Sequence, residues 1–469
     1  MDKNHGLKSD WECSVCGRCV LSCPNHAIHF RCASINYEPV IDTDKCLDCH
    51  ICEMVCKKEI KKDSSWQKVN HYVCTSRDDD ILKRSSSGGI FSEIARYILQ
   101  QGGIVIGAYF DSYSYEVKHI AVENEKDLDL CRKSKYVQSN PEISYDAISR
   151  AMDEKRWILF TGTPCQVEPI FYIFEDYNKL ICVDLFCHGV SNGGIFKKYL
   201  ESFSVDVRTI DFRDNSSADD TNFNMKYVFV DGTKLVNNCN SDILYQSWIW
   251  SMNIKKECLS CQFSSNRHHS DLTIGDWNDK DFAREHGIEV EHPSIVAINS
   301  KKGKDIWNKI QYRISSSYIT EKDLIQDYYS EHDTCGAWGY DEELAKTFIK
   351  YYLQHGFIRA FYELRYPFEM KLLERVTINT DSIWLYGAGI LGHRIYDMIK
   401  QLFPQWRVKG FVISEEHFQD ELYGDLQIKN VRNVEFSDDD IVVIAVSNEV
   451  DRQDIYNTLS NSGINYIVS

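Results

Sequence analysis

Eight cysteines near the start of the chain fall into two runs with the same spacing, C-x2-C-x2-C-x3-C. The first run comprises Cys13, Cys16, Cys19 and Cys23, and Pro24 follows it. The second run comprises Cys46, Cys49, Cys52 and Cys56. Three thiolates at this spacing wrap one corner of an iron–sulfur cubane on a tight loop. The pattern favours two [4Fe–4S] clusters over two structural zinc sites, because zinc sites do not use this doubled run.

This segment resembles bacterial-type ferredoxin domains along its whole length. The fourth cysteine of each run is expected to start a short helix, with Pro24 turning the chain into it. In two-cluster ferredoxins that fourth cysteine ligates the cluster of the other run. The first thiol set is therefore expected to be Cys13, Cys16, Cys19 and Cys56. The second thiol set is expected to be Cys46, Cys49, Cys52 and Cys23.

The composition narrows the classes of function. The chain has 469 residues, which suggests roughly two to four domains. The formal net charge of -17 argues against nucleic acid, since no basic field would attract phosphates. No apolar run approaches the ~18 residues of a membrane span, and the polar N-terminal segment lacks the apolar core of a signal peptide. With 18 cysteines and no export signal, a cytoplasmic, reducing location is expected.

A turn rich in serine and glycine precedes the first helix predicted for the middle region. Ser85 to Gly89 have the sequence SSSGG, followed by an amphipathic run from Ile90 to Gln101 and a strand from Ile104 to Tyr109. Serines cap helices and glycines let a ligand approach amide groups, so this helix N-terminus suits a phosphate. A plain capped helix fits the same residues equally well.

Two further predicted strands each end shortly before a cysteine. One runs from Trp157 to Phe160, before Cys165, and the other runs from Leu180 to Phe186, before Cys187. Ligands of open α/β sheets lie at the carboxyl ends of the strands. The two cysteines are therefore expected to lie together at such an edge.

Cys258 and Cys261 form a separate C-x2-C pair. With the two strand-end cysteines they number four, which is what a third cubane needs. Buried free cysteines that act as small hydrophobes explain the same residues, and spacing alone leaves both interpretations open. The other cysteines are taken as structural and are Cys32, Cys74, Cys131, Cys182, Cys239 and Cys335.

Five segments together resemble the coenzyme F420 hydrogenase/dehydrogenase beta-subunit family, over roughly Cys74 to Asp333. They are SSSGG, SKYVQS (Ser134 to Ser139), TGTPCQ, FCHG, and the C-x2-C pair followed by SDLTIGDW. The resemblance implies FAD and a nearby [4Fe–4S] cluster. The implied cluster ligands, the third thiol set, are Cys165, Cys187, Cys258 and Cys261. The residues implied around the flavin are Ser87, Gly88, Gly89, Lys135, Tyr136, Thr161, Gly162 and Thr163.

Lys135 and Thr163 are the candidate catalytic residues. Lys135 would favour an anionic reduced flavin, unless it is an ordinary surface lysine. A flavin accepts a hydride whereas clusters carry single electrons, so the expected function is an FAD-dependent reductase that joins a small-molecule substrate to a redox protein such as ferredoxin. A non-catalytic electron adaptor and a scaffold with structural clusters are the alternatives. The SSSGG version with a C-terminal extension resembles bacterial relatives in surface-polysaccharide biosynthesis, so the hydride partner need not be coenzyme F420.

The last part of the chain has the pattern of a nucleotide-binding domain. A helical connector is predicted from Leu344 to Arg375. Strands are then predicted at Asp381–Tyr386, Val408–Ile413, Ile441–Ala445 and Ile464–Val468, and helices at His393–Leu402 and Asp451–Ser460. Gly387, Gly389 and Gly392 form G-x-G-x-x-G after a strand, which allows close approach of a pyrophosphate. The acidic residue typical of NAD sites is absent, because Ser414 and then Glu415 follow the second strand. Nucleotide or nucleotide-sugar binding and a purely structural role both fit.

The expected architecture combines α/β and α+β domains. A ferredoxin-like two-cluster module is expected at residues 1–62 and a flavin-binding α/β core at residues 72–335. A helical connector at residues 336–378 and a small Rossmann-like βαβ domain at residues 379–469 follow.

Overall fold

The computed structural model describes residues 6–56, 69–219, 222–263, 268–320, 323, 341–376, 382–415, 422–423, 426–462, 464 and 466–469. Cys335 and the predicted domain boundaries at 62, 335 and 378 lie outside these residues. The chain forms two compact units, Met1–Ile349 and Lys350–Ser469. Its fold is mixed α/β with a ferredoxin-like N-terminal module, as the sequence predicts.

The N-terminal module contains two short helices and one hairpin. Its elements are α1 (Arg18–Leu21), β1 (Ile28–Cys32), β2 (Tyr37–Ile41) and α2 (Ile51–Cys56). The expectation that each fourth cysteine starts a helix is wrong, because α1 precedes Cys23 and α2 ends at Cys56. Gly17 explains the early start of α1, since its left-handed φ of 84° lets the chain turn directly into the helix.

A nine-stranded sheet forms the centre of the first unit. Its strands are β3 (Asn70–Ser76), β4 (Ile104–Asp111), β5 (Glu116–Val122), β6 (Ser139–Asn140), β7 (Ile158–Thr161), β8 (Leu180–Leu185), β12 (Leu272–Asp276), β13 (Ser294–Ile298) and β14 (Ile314–Ile319). The order is β14-β3-β13-β12-β8-β7-β4-β5-β6. The adjacent central strands β12, β8, β7 and β4 are parallel, and strands buried on both faces of such a sheet are apolar throughout. Strands β7 and β8 begin and end within one residue of their predicted bounds.

The first unit also contains helices and a second sheet, and the last helix of this group continues past Ile349. The helices are α3 (Asp79–Lys83), α4 (Ile90–Gln100), α5 (Tyr145–Asp153), α6 (Pro164–Ile173), α7 (Gly193–Leu200), α8 (Ile243–Ile249), α9 (Lys256–Leu259), α10 (Lys280–Glu285), α11 (Lys301–Ile310) and α12 (Glu342–His355). The second sheet is antiparallel and consists of β9 (Val207–Asp219), β10 (Asn222–Phe229) and β11 (Lys234–Asn238). This sheet was not predicted from the sequence.

The N-terminal module and the central sheet share one hydrophobic core. Val15 and Tyr37 of the module belong to the same buried cluster as Ile106 and Phe160 of the sheet. A buried ion pair also joins them: Arg18 Nη2 lies 2.6 Å from Glu168 Oε1. The module is therefore packed into the core of the unit and is not an appended domain.

The second unit is a doubly wound α/β domain. Its helices are α13 (Phe357–Arg365), α14 (Pro367–Glu374), α15 (Ile390–Leu402) and α16 (Glu449–Asn461). Its strands are β15 (Ile383–Tyr386), β16 (Val408–Ile413), β17 (Leu422–Tyr423), β18 (Leu426–Asn430), β19 (Ile441–Ile444) and β20 (Tyr466–Val468). The order is β17-β18-β16-β15-β19-β20, with all pairs parallel except β17 with β18. The prediction of a small βαβ domain missed β17 and β18, and otherwise placed the strands correctly.

Gly194 tests the packing of the module against the core. It is the second residue of α7, and a Cβ at this position would overlap the backbone carbonyl of Ala33 in the module. Gly194→Ala should therefore reduce the free energy of unfolding by about 1–3 kcal/mol, the usual cost of overpacking. The measurement is urea unfolding of the full chain, followed by cluster absorbance.

Lys198→Ala on the exposed face of the same helix is the matched control, and should change the free energy of unfolding by no more than about 0.5 kcal/mol. Equal stability of the Gly194 variant and the control would contradict the shared packing.

Candidate functional site

The two cysteine runs repeat in backbone conformation as well as in spacing. Val15 and Asp48, each two residues after the first cysteine of a run, have left-handed φ values of 53° and 57°. Each donates its amide hydrogen back to that cysteine, with 3.4 Å between N and Sγ. Left-handed backbone at residues other than glycine is costly and concentrates at functional sites. Both loops are thus folded to wrap a group held by their thiols.

The first thiol set is brought together by the packing of α1 against α2. Cys19 interacts electrostatically with Cys16, Cys13 and Cys56, and Cys56 interacts with Cys16. Burial raises the pKa of Cys13 to about 12, so an uncompensated thiolate is unfavourable there. Iron binding, which requires thiolates, would supply the compensating charge.

The second thiol set lies at the surface of the module. Cys52 interacts with Cys23 and Cys49, and all four members line one small cavity. Cys49 is exposed, as are the neighbouring Leu47 and Met54 at 64% and 65%. The structure therefore groups the eight thiols as the ferredoxin resemblance implies, with the second set facing solvent.

The third thiol set gathers at the carboxyl edge of β7 and β8. Thr163 caps α6 through a reciprocal capping box with Gln166, which places Cys165 in the first turn of the helix. Cys187 follows β8 and interacts with Cys258, Cys165 and Cys261. Four thiols from three separate segments are thus brought together. Cysteines that served only as small buried hydrophobes would not need to converge in this way.

The first and third thiol sets are neighbours. Cys165 interacts with Cys16 as well as with Cys261. Lys255 lies between the two sets and is only 1% exposed. Its Nζ donates hydrogen bonds to Ser14 O at 2.8 Å and to Gln138 Oε1 at 2.5 Å. Burial by itself would lower the pKa of Lys255, but the thiols of both sets raise it above its usual value.

The donor chemistry of the three sets fits cubanes. Among the described residues, no three His, Cys, Asp or Glu side chains converge closely enough to hold a single metal ion. Four iron atoms separate their ligating sulfurs more widely than one ion does, and [4Fe–4S] clusters take four cysteines. Four-thiol groups with amide hydrogens directed at sulfur, as at Cys13, Cys46 and Cys261, suit such clusters.

Several residues expected at the flavin are engaged by the protein itself. The Gly88 amide donates to Ser294 Oγ at 2.9 Å, and a Cβ at Gly88 or Gly89 would strike Cys74 O or Ile81. These glycines therefore serve close packing, and the expected exposed amide at Gly88 is absent. The Ser87 hydroxyl lies 3.0 Å from Ser294 Oγ.

Lys135 and Thr163, the candidate catalytic residues, both make hydrogen bonds within the protein. Lys135 Nζ donates to the backbone carbonyls of Leu130, Arg132 and Lys133 at 3.1, 2.7 and 3.3 Å, so it fastens its own loop. Desolvation lowers the pKa of Lys135 to about 8. The Thr163 hydroxyl is used in the capping box and lies 3.2 Å from Cys165 Sγ. Thr161 Oγ1 donates to Ile106 O at 2.9 Å, and Gly162 lies beside His119 and Gln166.

Tyr136 belongs to an aromatic group next to the third thiol set. Its ring stacks on Trp248 with 4.8 Å between centroids, and its backbone carbonyl accepts from Ser191, four residues after Cys187. Arg213 pairs with Asp276 at the end of β12 and also reaches Tyr136. Trp248 Nε1 and Arg213 Nε are buried and have no hydrogen-bond partner among the described residues.

Sequence reasoning missed Lys255, Arg213 and Trp248. Lys255 stands three residues before Cys258, but only its burial distinguishes it from neighbouring lysines. Arg213 lies on β9, a strand that the sequence pattern did not reveal. Of the cysteines taken as structural, Cys74 and Cys182 are fully buried in the sheet, on β3 and β8.

The second unit contains a cleft of about 1480 Å³ above its glycine-rich turn. A Cβ at Gly392 would overlap the Gly387 carbonyl, so this glycine permits close packing of α15. A Cβ at Gly389 would meet nothing within 4 Å, because it faces the open cleft. Gly389 is also the N-cap of α15 and provides no side-chain cap. Glu415 is paired with Arg432 at the rim.

Three family models match the chain. Two of them describe the amino-terminal and carboxyl-terminal parts of the coenzyme F420 hydrogenase/dehydrogenase beta subunit, and they match residues 71–142 and 155–326. The third is a 4Fe-4S dicluster domain, which matches residues 12–60. These matches confirm the predicted resemblances to a two-cluster ferredoxin domain and to the beta-subunit family.

Among solved structures, the chain is similar to one from the xenon-derivatised F420-reducing [NiFe] hydrogenase complex of Methanosarcina barkeri. The identity is 17% and the TM-score 0.39, over 68% of this chain and 96% of that one. No curated protein matches the chain. Within the described residues, no helix is long and apolar enough to cross a membrane.

Replacement of Cys165 by serine tests the third thiol set. Cys165→Ser should lower the iron content from about twelve to about eight atoms per chain, since one of three cubanes loses a ligand. Electron paramagnetic resonance of the reduced protein should still show the two clusters of the N-terminal module. Cys239→Ser, at a buried cysteine outside the three sets, is the control and should keep about twelve iron atoms. Loss of all clusters together in the Cys165 variant would contradict three separate sets.

Proposed function

We propose a redox function for this chain, which belongs to the coenzyme F420 hydrogenase/dehydrogenase beta-subunit family and carries a 4Fe-4S dicluster domain. It is an iron–sulfur oxidoreductase that passes single electrons along three [4Fe–4S] clusters. The observation that carries this proposal is the electrostatic interaction of Cys165 in the third set with Cys16 in the first set, while Cys49 of the second set is exposed to solvent. A redox protein such as ferredoxin would exchange electrons at the second set.

FAD in the core would complete this path to a substrate. When bound, FAD exchanges a hydride with a substrate and single electrons with a cluster. Tyr136 and Trp248 would pack against its ring, and the unpartnered N–H groups of Trp248 and Arg213 would donate to its acceptor atoms. Buried donors without partners are costly, which supports a ligand there. Asp276 would hold Arg213 in place.

The substrate proposed is a small molecule that gains or loses a hydride. The resemblance to bacterial relatives in surface-polysaccharide biosynthesis supports a sugar intermediate, in the cytoplasm, as that molecule. The second candidate is an electron adaptor without a hydride site. It is favoured by the hydrogen bonds that Gly88, Lys135 and Thr163 already make within the protein.

Anaerobic purification distinguishes the two candidates. We expect about twelve iron atoms and one FAD per chain, with flavin reduction by at least one of reduced F420, NADH and reduced ferredoxin. Trp248→Phe, which keeps an aromatic ring but removes the indole N–H together with the five-membered ring that carries it, should weaken FAD retention. Trp250→Phe, the same change at the exposed end of α8, should not. About twelve iron atoms without flavin would reject the reductase and leave the adaptor. Less than about eight iron atoms would reject both.

We also propose that the cleft of the second unit binds a nucleoside diphosphate. The glycine-rich turn follows the carboxyl end of β15, the strand that lies between β16 and β19. Doubly wound sheets bind ligands at this point. The glycines of the turn are Gly387, Gly389 and Gly392. The open side of Gly389 allows a pyrophosphate to approach the N-terminus of α15. The pairing of Glu415 with Arg432 supports a ligand other than NAD, since the carboxylate is not directed to a ribose.

Gly389→Val places a branched side chain where the phosphates would lie. We expect isothermal titration calorimetry to show binding of UDP or ADP to the unchanged chain and at least tenfold weaker binding to this variant. Ile390→Ala at the neighbouring exposed position should bind as the unchanged chain does. Equal affinity of both variants, or no binding at all, would reject the site.

A further inference from the structure

Lys255 is a buried cation held between two redox centres. Its ammonium donates to the carbonyl of Ser14, within the loop of the first thiol set, and to the side chain of Gln138. Its strongest attractive interactions are with Cys258 and Cys165 of the third set and Cys13 of the first set. One charged group therefore contacts the module and the core and interacts electrostatically with both sets of ligands.

The partners of this ammonium distinguish it from an ordinary structural lysine. Its described hydrogen-bond acceptors are neutral oxygens, whereas the other buried cation at this interface, Arg18, is paired with the Glu168 carboxylate. A buried charge is retained only when it is compensated. The thiols of the first and third sets, as cluster thiolates, would supply the compensating negative charge at Lys255.

We propose that Lys255 is a positioning residue that holds the first and third clusters as adjacent electron partners and raises the reduction potential of both. This inference rests on the proposed function, since it requires clusters on both thiol sets. In the step concerned, one electron leaves the reduced cluster of one set and enters the oxidised cluster of the other, and no proton or bond moves. Reduction adds a negative charge to a cluster, and a nearby ammonium stabilises that charge.

The test is an anaerobic redox titration of the full chain, monitored by electron paramagnetic resonance, with iron counted in every sample. Lys255→Gln removes the charge and keeps a hydrogen-bond donor. At a fixed potential, we expect the ratio of reduced to oxidised form to fall at least tenfold for both the first and the third cluster. For a one-electron couple this corresponds to a reduction potential lower by about 59 mV. The exposed second cluster should keep its potential.

Lys256→Gln is the matched control. Lys256 also joins the core to the module, through Glu12 at 2.6 Å, but both side chains are substantially exposed. Its replacement should leave all three potentials unchanged, because solvent screens that pair. Lys255→Arg, which keeps the positive charge, should retain potentials closer to those of the unchanged chain than Lys255→Gln does.

The outcomes separate this inference from the proposed function. Unchanged potentials in a Lys255→Gln protein with about twelve iron atoms would overturn the inference and leave the electron path intact. Equal iron loss in the Gln and Arg variants would also overturn it, because packing and not charge would then be required. An unchanged chain with fewer than about twelve iron atoms would instead reject the third cluster itself.

Discussion

The structure depends on the burial of the N-terminal module in the core of the first unit. Electron transfer between clusters weakens steeply with distance, so two redox modules joined only by a flexible segment would seldom be close enough. Here Val15 and Tyr37 share a hydrophobic cluster with Phe160 of the central sheet, and Arg18 is paired with Glu168 away from solvent. Separation of the module would expose the apolar side chains of this shared cluster to water, which opposes it.

The parallel centre of the sheet explains why the third thiol set forms where it does. Neighbouring parallel strands end at the same edge, so the residues that follow β7 and β8 are brought together although they are distant in sequence. Asp276, at the end of the adjacent β12, holds Arg213 at that edge. The segment from Tyr136 to Gln138 also lies there, bonded to Ser191. One topological feature therefore places the cysteines beside the aromatic group proposed for the flavin.

Local patterns in the sequence predicted the two N-terminal cysteine runs and the strands β4, β7, β8, β15, β16, β19 and β20. The third thiol set was implied only by the family resemblance, because spacing alone left it open. The helices next to Cys23 and Cys56 were misplaced, since the turn into α1 is set by Gly17. The contacts of Gly88 and Lys135 could not be predicted, because Ser294 and the carbonyls around Lys135 approach only in the folded chain. For the same reason no local signal marked Lys255, whose partners at Ser14 and Gln138 are more than a hundred residues away. The antiparallel sheet of β9 to β11 was also missed, although Phe223, Met225 and Tyr227 alternate with polar residues along β10.

Burial of the path has an electrostatic consequence. The potential of an iron–sulfur cluster depends on its net charge, the hydrogen bonds to its sulfurs and its exposure to solvent. The second set faces water, whereas Cys13 and Cys258 are buried. A less polar environment makes the added negative charge harder to accommodate, so burial by itself would make inward movement of an electron unfavourable. A positive charge between the two buried sets opposes this effect of burial on the reduction potential. Lys255 supplies such a charge at the interface of the module and the core, where it bonds to Ser14 and Gln138. With the role proposed for Lys255, the interface that brings the first and third thiol sets together would thus also make clusters bound there easier to reduce.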